Sequence, residues 1–180
     1  AGHSMGGAIA QFLALKRPQW LTSVVLIGTG AHLPVSPRIL EGLQTNAEDA
    51  VSLIMRYTWR RESSPELVAL TGRTMLATGA ELLYKNFLAC DKFDLREKLG
   101  EIEVPALVIC GSEDRMTPAD YGRDLAAGIP GARLEIIEDS GHFVTLEQPH
   151  AVAKAIAAFI RDWHFPGNLT AANDQDNQTR

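Results

Sequence analysis

A serine set between glycines at the head of an apolar helix constrains this chain more than any other feature. Residues Ala1-Gly2-His3-Ser4-Met5-Gly6-Gly7 read Gly-x-Ser-x-Gly, and a helix-forming run follows at once. The pattern predicts a tight strand-to-helix turn with Ser4 at its apex, where a side chain at either Gly2 or Gly6 would clash. Such a turn lifts the Ser4 hydroxyl clear of the backbone, within reach of a base. A helix starting at Met5 aims its unpaired N–H groups and positive dipole end at the same spot. The Met5 N–H is therefore a candidate donor to an oxyanion. The pentapeptide alone also fits a plain turn, so its meaning rests on whether an acid and a histidine follow in the right context.

The rest of the chain supplies that context. Met5 to about Arg17 reads as a helix apolar on more than one side, through Ala8, Ile9, Phe12, Leu13 and Leu15, and so as one buried by a sheet and its neighbours. Pro18 stops it. Val24-Val25-Leu26-Ile27, closed by Gly28, fits a parallel strand covered on both faces. Val104 to Cys110 repeats that pattern, with Pro105 at its start. Thr117-Pro118 opens a further helix to about Ala127. Arg133 to Ile137 alternates and reads as a strand nearer the sheet edge. Gln148-Pro149 begins a last helix, with Val152, Ile156, Phe159, Ile160 and Trp163 on the 3.6 period.

Residues 34–90 break the strand–helix rhythm and read as several helices. Ser36-Pro37 and Ser64-Pro65 are helix starts. Leu67, Val68, Leu70, Met75 and Leu76 form one of their apolar sets. An insertion after a strand end would lie over the sheet's C-terminal edge as a lid on an apolar pocket. Arg60-Arg61 within it reads as a solvated loop, with contact to an anionic substrate group as the alternative. Cys90 to Glu103 carries alternating charge and reads as an exposed connecting segment or short helix. Residues 166–180 hold little to bury and read as a disordered tail. Its two Asn-x-Thr sequences are most simply chance in a polar stretch. The division is 1–33 and 91–165 for the core, 34–90 for a helical cap, and 166–180 for the tail.

Composition narrows the chemistry. A net charge of −5 argues against nucleic acid or an anionic membrane as partner. No apolar run reaches transmembrane length. Cys90 and Cys110 match no metal spacing and read as small buried residues, and the five histidines include no His-x-x-x-His pair. No metal or cofactor is implied.

Three groups remain, each following a strand: Ser4, Asp114 and His142. Parallel strands end on one edge, so these residues converge although they are far apart in sequence. Ser4 is the candidate nucleophile, His142 the base that takes its proton, and Asp114 the acid that orients the imidazole. Glu113 is the rival acid, but Asp114 stands where the loop has cleared the strand. His3 is a flanking residue of the turn. His32, His150 and His164 read as structural or solvated.

With these residues in view, residues 1–163 resemble the α/β-hydrolase superfamily. Gly2-His3-Ser4-Met5-Gly6-Gly7 is similar to its nucleophile elbow and Gly111-Ser112-Glu113-Asp114 to its acid loop. Gly141-His142-Phe143 through Glu147-Gln148-Pro149 is similar to its histidine loop and final helix. The resemblance implies an α/β fold with a helical cap at residues 34–90. Ser4 in place of Asp argues against the haloalkane dehalogenase and epoxide hydrolase branches. What the resemblance implies is a cytoplasmic serine hydrolase of small hydrophobic esters or related acyl compounds, working through an acyl-enzyme. Acyl transfer, perhydrolysis and C–C bond hydrolysis by the same residues stay open, as does a non-catalytic receptor on the same fold.

The family's early strands, including the one feeding the elbow, and the loop supplying a second oxyanion donor have no counterpart in these 180 residues. The expectation is the C-terminal part of a larger enzyme. Val24 to Ile27 would then lie on an unpaired apolar edge, and these residues alone would be poorly soluble and nearly inactive.

Overall fold

The computed structural model describes residues 1–162. Strand β1 (Gly2–His3) turns at Ser4 into helix α1 (Met5–Lys16), which is followed by β2 (Val24–Ile27). Four helices come next: α2 (Pro37–Thr45), α3 (Ala47–Thr58), α4 (Pro65–Ala77) and α5 (Ala80–Asp91). A 3₁₀ turn (Arg96–Glu101) leads to β3 (Ala106–Gly111), α6 (Ala119–Gly128) and β4 (Arg133–Ile137). A short α7 (Val144–Glu147) and α8 (Pro149–Asp162) complete the described chain. Trp163 and the tail at 166–180, with its Asn-x-Thr sequences, lie outside the described residues.

The four strands form one parallel sheet in the order β1-β2-β3-β4. Alternation of side chains along each strand splits the core into two layers. Val24 and Leu26 of β2 and Ala106, Val108 and Cys110 of β3 face a layer with Ala14 of α1 and Leu125 of α6. Val25, Ile27, Leu107 and Ile109 face the other layer, with Val144, Val152 and Phe159 of α7 and α8. Both faces being covered explains why β2 and β3 are apolar without a break. β4 pairs only with β3 and is the half-exposed edge that its alternation predicts.

Several expectations need correction. The strand feeding the Ser4 turn is present in its last two residues: Gly2 pairs with Leu26, and His3 with Ile27. Its backbone continues the ladder, because Ser4 N–H donates to Ile27 O at 2.9 Å. β2 is therefore flanked on both sides at Leu26 and Ile27, while Val24 and Val25 pair with β3 alone among the described residues. Helix α1 is not buried all round. It meets the sheet side through Gly7 and Ala14, and Ala8 packs on Leu33, Phe93 and Leu95, while Ile9 and Phe12 are exposed. A helix lying on a sheet buries one side, and here small residues allow the close approach. The charged stretch at 91–103 is not wholly exposed either, since Phe93, Leu95, Leu99 and Ile102 are buried.

The insertion at 34–90 is helical and has an apolar core of its own, through Ile39, Leu43, Val51, Ile54, Met55 and Leu83. Helix α4 contributes no fully buried residue, and Leu67, Leu70 and Leu76 are exposed. α4 rests chiefly on α3, with one side that carries Val68 and Met75.

Close packing of α6 on β3 depends on Gly122. A Cβ there would lie 2.0 Å from Cys110 Sγ, with Val108 Cγ1 next at 3.4 Å. Alanine in place of glycine gains about 1 kcal/mol of helix propensity, whereas forcing an atom into a filled core costs about 1–3 kcal/mol. We expect Gly122→Ala to lower stability in urea unfolding. Cys110→Ala should relieve the loss in the double variant, and additive effects would contradict this packing account.

Candidate active site

Ser4 sits at φ 52°, ψ −118°, a conformation a side chain rarely adopts. Strain of this kind costs about 1–3 kcal/mol and persists only where surrounding bonds over-determine it. Here Ser4 N–H donates to Ile27 O, and Thr29 Oγ1 donates to Ser4 O at 2.9 Å. A Cβ on Gly2 would lie 2.1 Å from Gly6 O, so the first helical turn can fold back only over a glycine. The matching expectation for Gly6 is corrected, because a Cβ there would meet nothing within 4 Å. The second sterically required glycine is Gly7, whose Cβ would strike the Thr29 side chain at 2.5 Å. The Met5 N–H has no acceptor among the described residues, so it is free to meet a ligand oxygen.

Asp114 follows β3 and His142 follows β4, and the sheet brings them together. His142 Nδ1 donates to Asp114 Oδ2 at 2.8 Å, with both side chains almost fully buried. That bond puts the ring proton on Nδ1 and leaves Nε2 as the basic nitrogen. Three further donors satisfy the buried carboxylate. Met116 N–H and Thr117 N–H each reach Oδ1 at 2.8 Å, and Thr117 Oγ1 reaches Oδ2 at 2.8 Å. Glu113 points elsewhere and pairs with Arg60 Nε at 2.9 Å.

Ser4 shares a small pocket of about 40 Å³ with Leu33, Val35, Phe87, Met116 and Thr117. Thr117 Oγ1 also lies 3.1 Å from His142 Nδ1. Thr117 thus lies between the space beside Ser4 and the His142 ring, and among the described residues no hydrogen bond joins the serine hydroxyl to the imidazole.

A model of the α/β-hydrolase family matches residues 1–155. The chain belongs to the α/β-hydrolase family. Among its relatives is a 2-hydroxy-6-oxononadienedioate/2-hydroxy-6-oxononatrienedioate hydrolase of Cupriavidus pinatubonensis. It is 32% identical over 88% of this chain and 60% of its own length. A 3-oxoadipate enol-lactonase of Acinetobacter baylyi is 29% identical over 89% of this chain and 62% of its own. A solved thermophilic esterase aligns with TM-score 0.83 at 38% identity, over 89% of this chain and 64% of that one. The chain thus spans about three fifths of the length of these α/β-hydrolases.

Several residues around this α/β-hydrolase site carry roles that the sequence did not announce. Thr117 binds both Asp114 and His142, and the Asp114-x-x-Thr117 spacing was the available signal. His142 N–H donates to Thr58 O at the end of α3, at 2.8 Å. Arg60 is no solvated loop residue: besides Glu113 it holds Asp139 O at 2.7 Å. Glu147 accepts from Gly141 N–H at 2.7 Å and from Ser63 Oγ at 2.5 Å. These contacts tie the helical insertion to the acid and histidine loops.

His3 is the least expected neighbour. Its Nε2–H donates to His142 O at 2.8 Å, and its ring lies 4.7 Å from the His142 ring. Burial, and then the adjacent His142, lower its pKa from 6.5 to about 4. Between those values the unfolded chain binds more protons than the folded one. Stability therefore falls as pH drops from about 6.5 through about 4, by up to about 3 kcal/mol. His3→Gln keeps a donor and removes the titration, so urea unfolding at pH 7 and pH 4.5 should show a smaller acid loss than in wild type. An equal loss would refute this account of His3.

Proposed function

We propose that the chain carries the catalytic residues of a serine hydrolase that cleaves a carboxylic ester or related acyl bond through an acyl-enzyme. The observation that carries this reading is the buried Asp114–His142 bond beside the strained Ser4 turn. His142 Nε2 takes the Ser4 proton as Oγ attacks the acyl carbon, and Asp114 stabilises the imidazolium that forms. The oxyanion of the tetrahedral intermediate meets the Met5 N–H and the positive end of α1. His142 then passes the proton to the leaving group. Water, activated by the same imidazole, releases the acid and frees Ser4.

The substrate would be a small hydrophobic ester or acyl compound, because Leu33, Val35, Phe87 and Met116 make the space beside Ser4 apolar. The insertion at 34–90 would act as a cap, since Leu33, Val35, Phe87 and Cys90 enter that space from it and from its flank. Esterase and lactonase names among the relatives support acyl-oxygen cleavage. A second reading, hydrolysis of a carbon–carbon bond in an oxo-dienoate by the same residues, is favoured by the oxo-dienoate named for the Cupriavidus relative.

In the full-length protein a fluorophosphonate probe should label Ser4. Ser4→Ala should abolish labelling and lower kcat/KM for p-nitrophenyl butyrate by about 10⁴-fold or more. Asp114→Asn should lower kcat by about 10⁴-fold, because the imidazole loses its tautomer. Unlabelled protein whose ester hydrolysis survives Ser4→Ala would end this proposal. Turnover of an oxo-dienoate with little ester hydrolysis would favour the second reading.

A further inference from the structure

Helices α3 and α4 enclose a cleft of about 940 Å³ that does not include Ser4, Asp114 or His142. Five arginines line it: Arg56, Arg60, Arg61, Arg73 and Arg115. Glu48 is the one carboxylate among its lining residues. This concentration runs against a chain whose net charge is −5.

Most of that positive charge is unanswered. Arg60 is neutralised by Glu113, with Glu62 and Asp139 close by. Arg115 donates to Arg56 O and Trp59 O, which caps the end of α3 but supplies no counter-charge. No ion pair neutralises Arg56, Arg61, Arg73 or Arg115 among the described residues. Like charges gathered in a concave wall focus a positive potential and raise the local concentration of anions. Guanidinium forks match the oxygens of a phosphate, and such bonds are among the stronger hydrogen bonds available.

Much of the remaining wall is apolar, with Ser52 and Ser63 also on it. Val51 and Met55 of α3 and Val68 and Leu76 of α4 line the same cleft. A phosphate monoester brings close to two negative charges and three acceptor oxygens. An alkyl chain on it would cover the aliphatic wall. The volume lies within the range of about 300–1,000 Å³ typical of small-molecule sites.

We propose that the α3–α4 cleft binds a small amphipathic anion with a phosphate-type head and an apolar chain. Arg61, Arg73 and Arg56 hold the head, and Val68 and Leu76, backed by the buried Val51 and Met55, hold the chain. The site is separate from the proposed catalytic residues and does not depend on that reading. It adjoins them through Trp59, which lines the cleft and whose ring lies 4.8 Å from that of Phe143, next to His142.

The test is calorimetric titration of the full-length protein with octyl phosphate below its micelle concentration, beside octanol and inorganic phosphate. Octyl phosphate should bind more tightly than either fragment. Arg61→Ala/Arg73→Ala should weaken it by about tenfold or more, because both side chains are exposed and hold no ion-pair partner among the described residues. Arg96→Ala, whose side chain pairs with Asp94 outside the cleft, should leave binding unchanged. Ser4→Ala should also leave it unchanged, so that the two proposals fail separately. Octanol binding as tightly as octyl phosphate, or the double variant binding as wild type does, would overturn the site. So would arginine-dependent binding to an acidic peptide or to phosphatidic acid vesicles without binding of octyl phosphate.

Discussion

Parallel pairing puts every strand end on one rim of the sheet, and the site depends on that constraint. Ser4 leaves β1, the loop to Asp114 leaves β3, and the loop to His142 leaves β4. Were β3 and β4 antiparallel, the carboxylate and the imidazole would emerge at opposite ends, and the 2.8 Å bond between them would not exist. The direction of pairing is maintained by helices on both faces, because buried strands need crossovers that cover them. The two core layers and the candidate site are therefore consequences of one arrangement.

The rim is finished by backbone as much as by side chains. The Ser4 turn needs Gly2 under Gly6 O and Gly7 against Thr29. The acid loop passes so close to the histidine loop that a Cβ on Gly111 would lie 2.2 Å from Gly141 O. Such approaches leave no room for adjustment. Movement of the histidine loop would disturb the acid loop directly, and the buried carboxylate of Asp114 would lose donors that water cannot replace.

The helical insertion is fastened to this rim where the rim matters. The carbonyl of Thr58 holds the backbone of His142, and Arg115 from the acid loop caps the same end of α3. Arg60 and Glu147 add charged and polar ties between the insertion and both loops. The insertion has its own apolar core, yet Met116 and Phe143 of those loops pack against it. Its position and the placement of His142 are mechanically linked, and the arginine cleft lies on the same helix pair.

Local order was legible in the amino-acid sequence. Apolar runs at Val24–Ile27 and Val104–Cys110 announced strands buried on both faces. Pro37 and Pro65 announced helix starts, and Gly-x-Ser-x-Gly before an apolar helix announced the turn at Ser4. Each of these is a short-range signal, because it reflects the conformational limits of a few adjacent residues. Which glycine meets which wall was not legible: Gly7 rather than Gly6 is the crowded one, since Thr29 approaches from another strand end. Nor were the exposure of Ile9 and Phe12, the contact of the Thr117 hydroxyl with both Asp114 and His142, or the seat of His3 against His142. The gathering of Arg56, Arg61, Arg73 and Arg115 around one cleft belongs to the same class. Contacts between segments distant in the chain depend on how elements pack, and only the tertiary structure decides them.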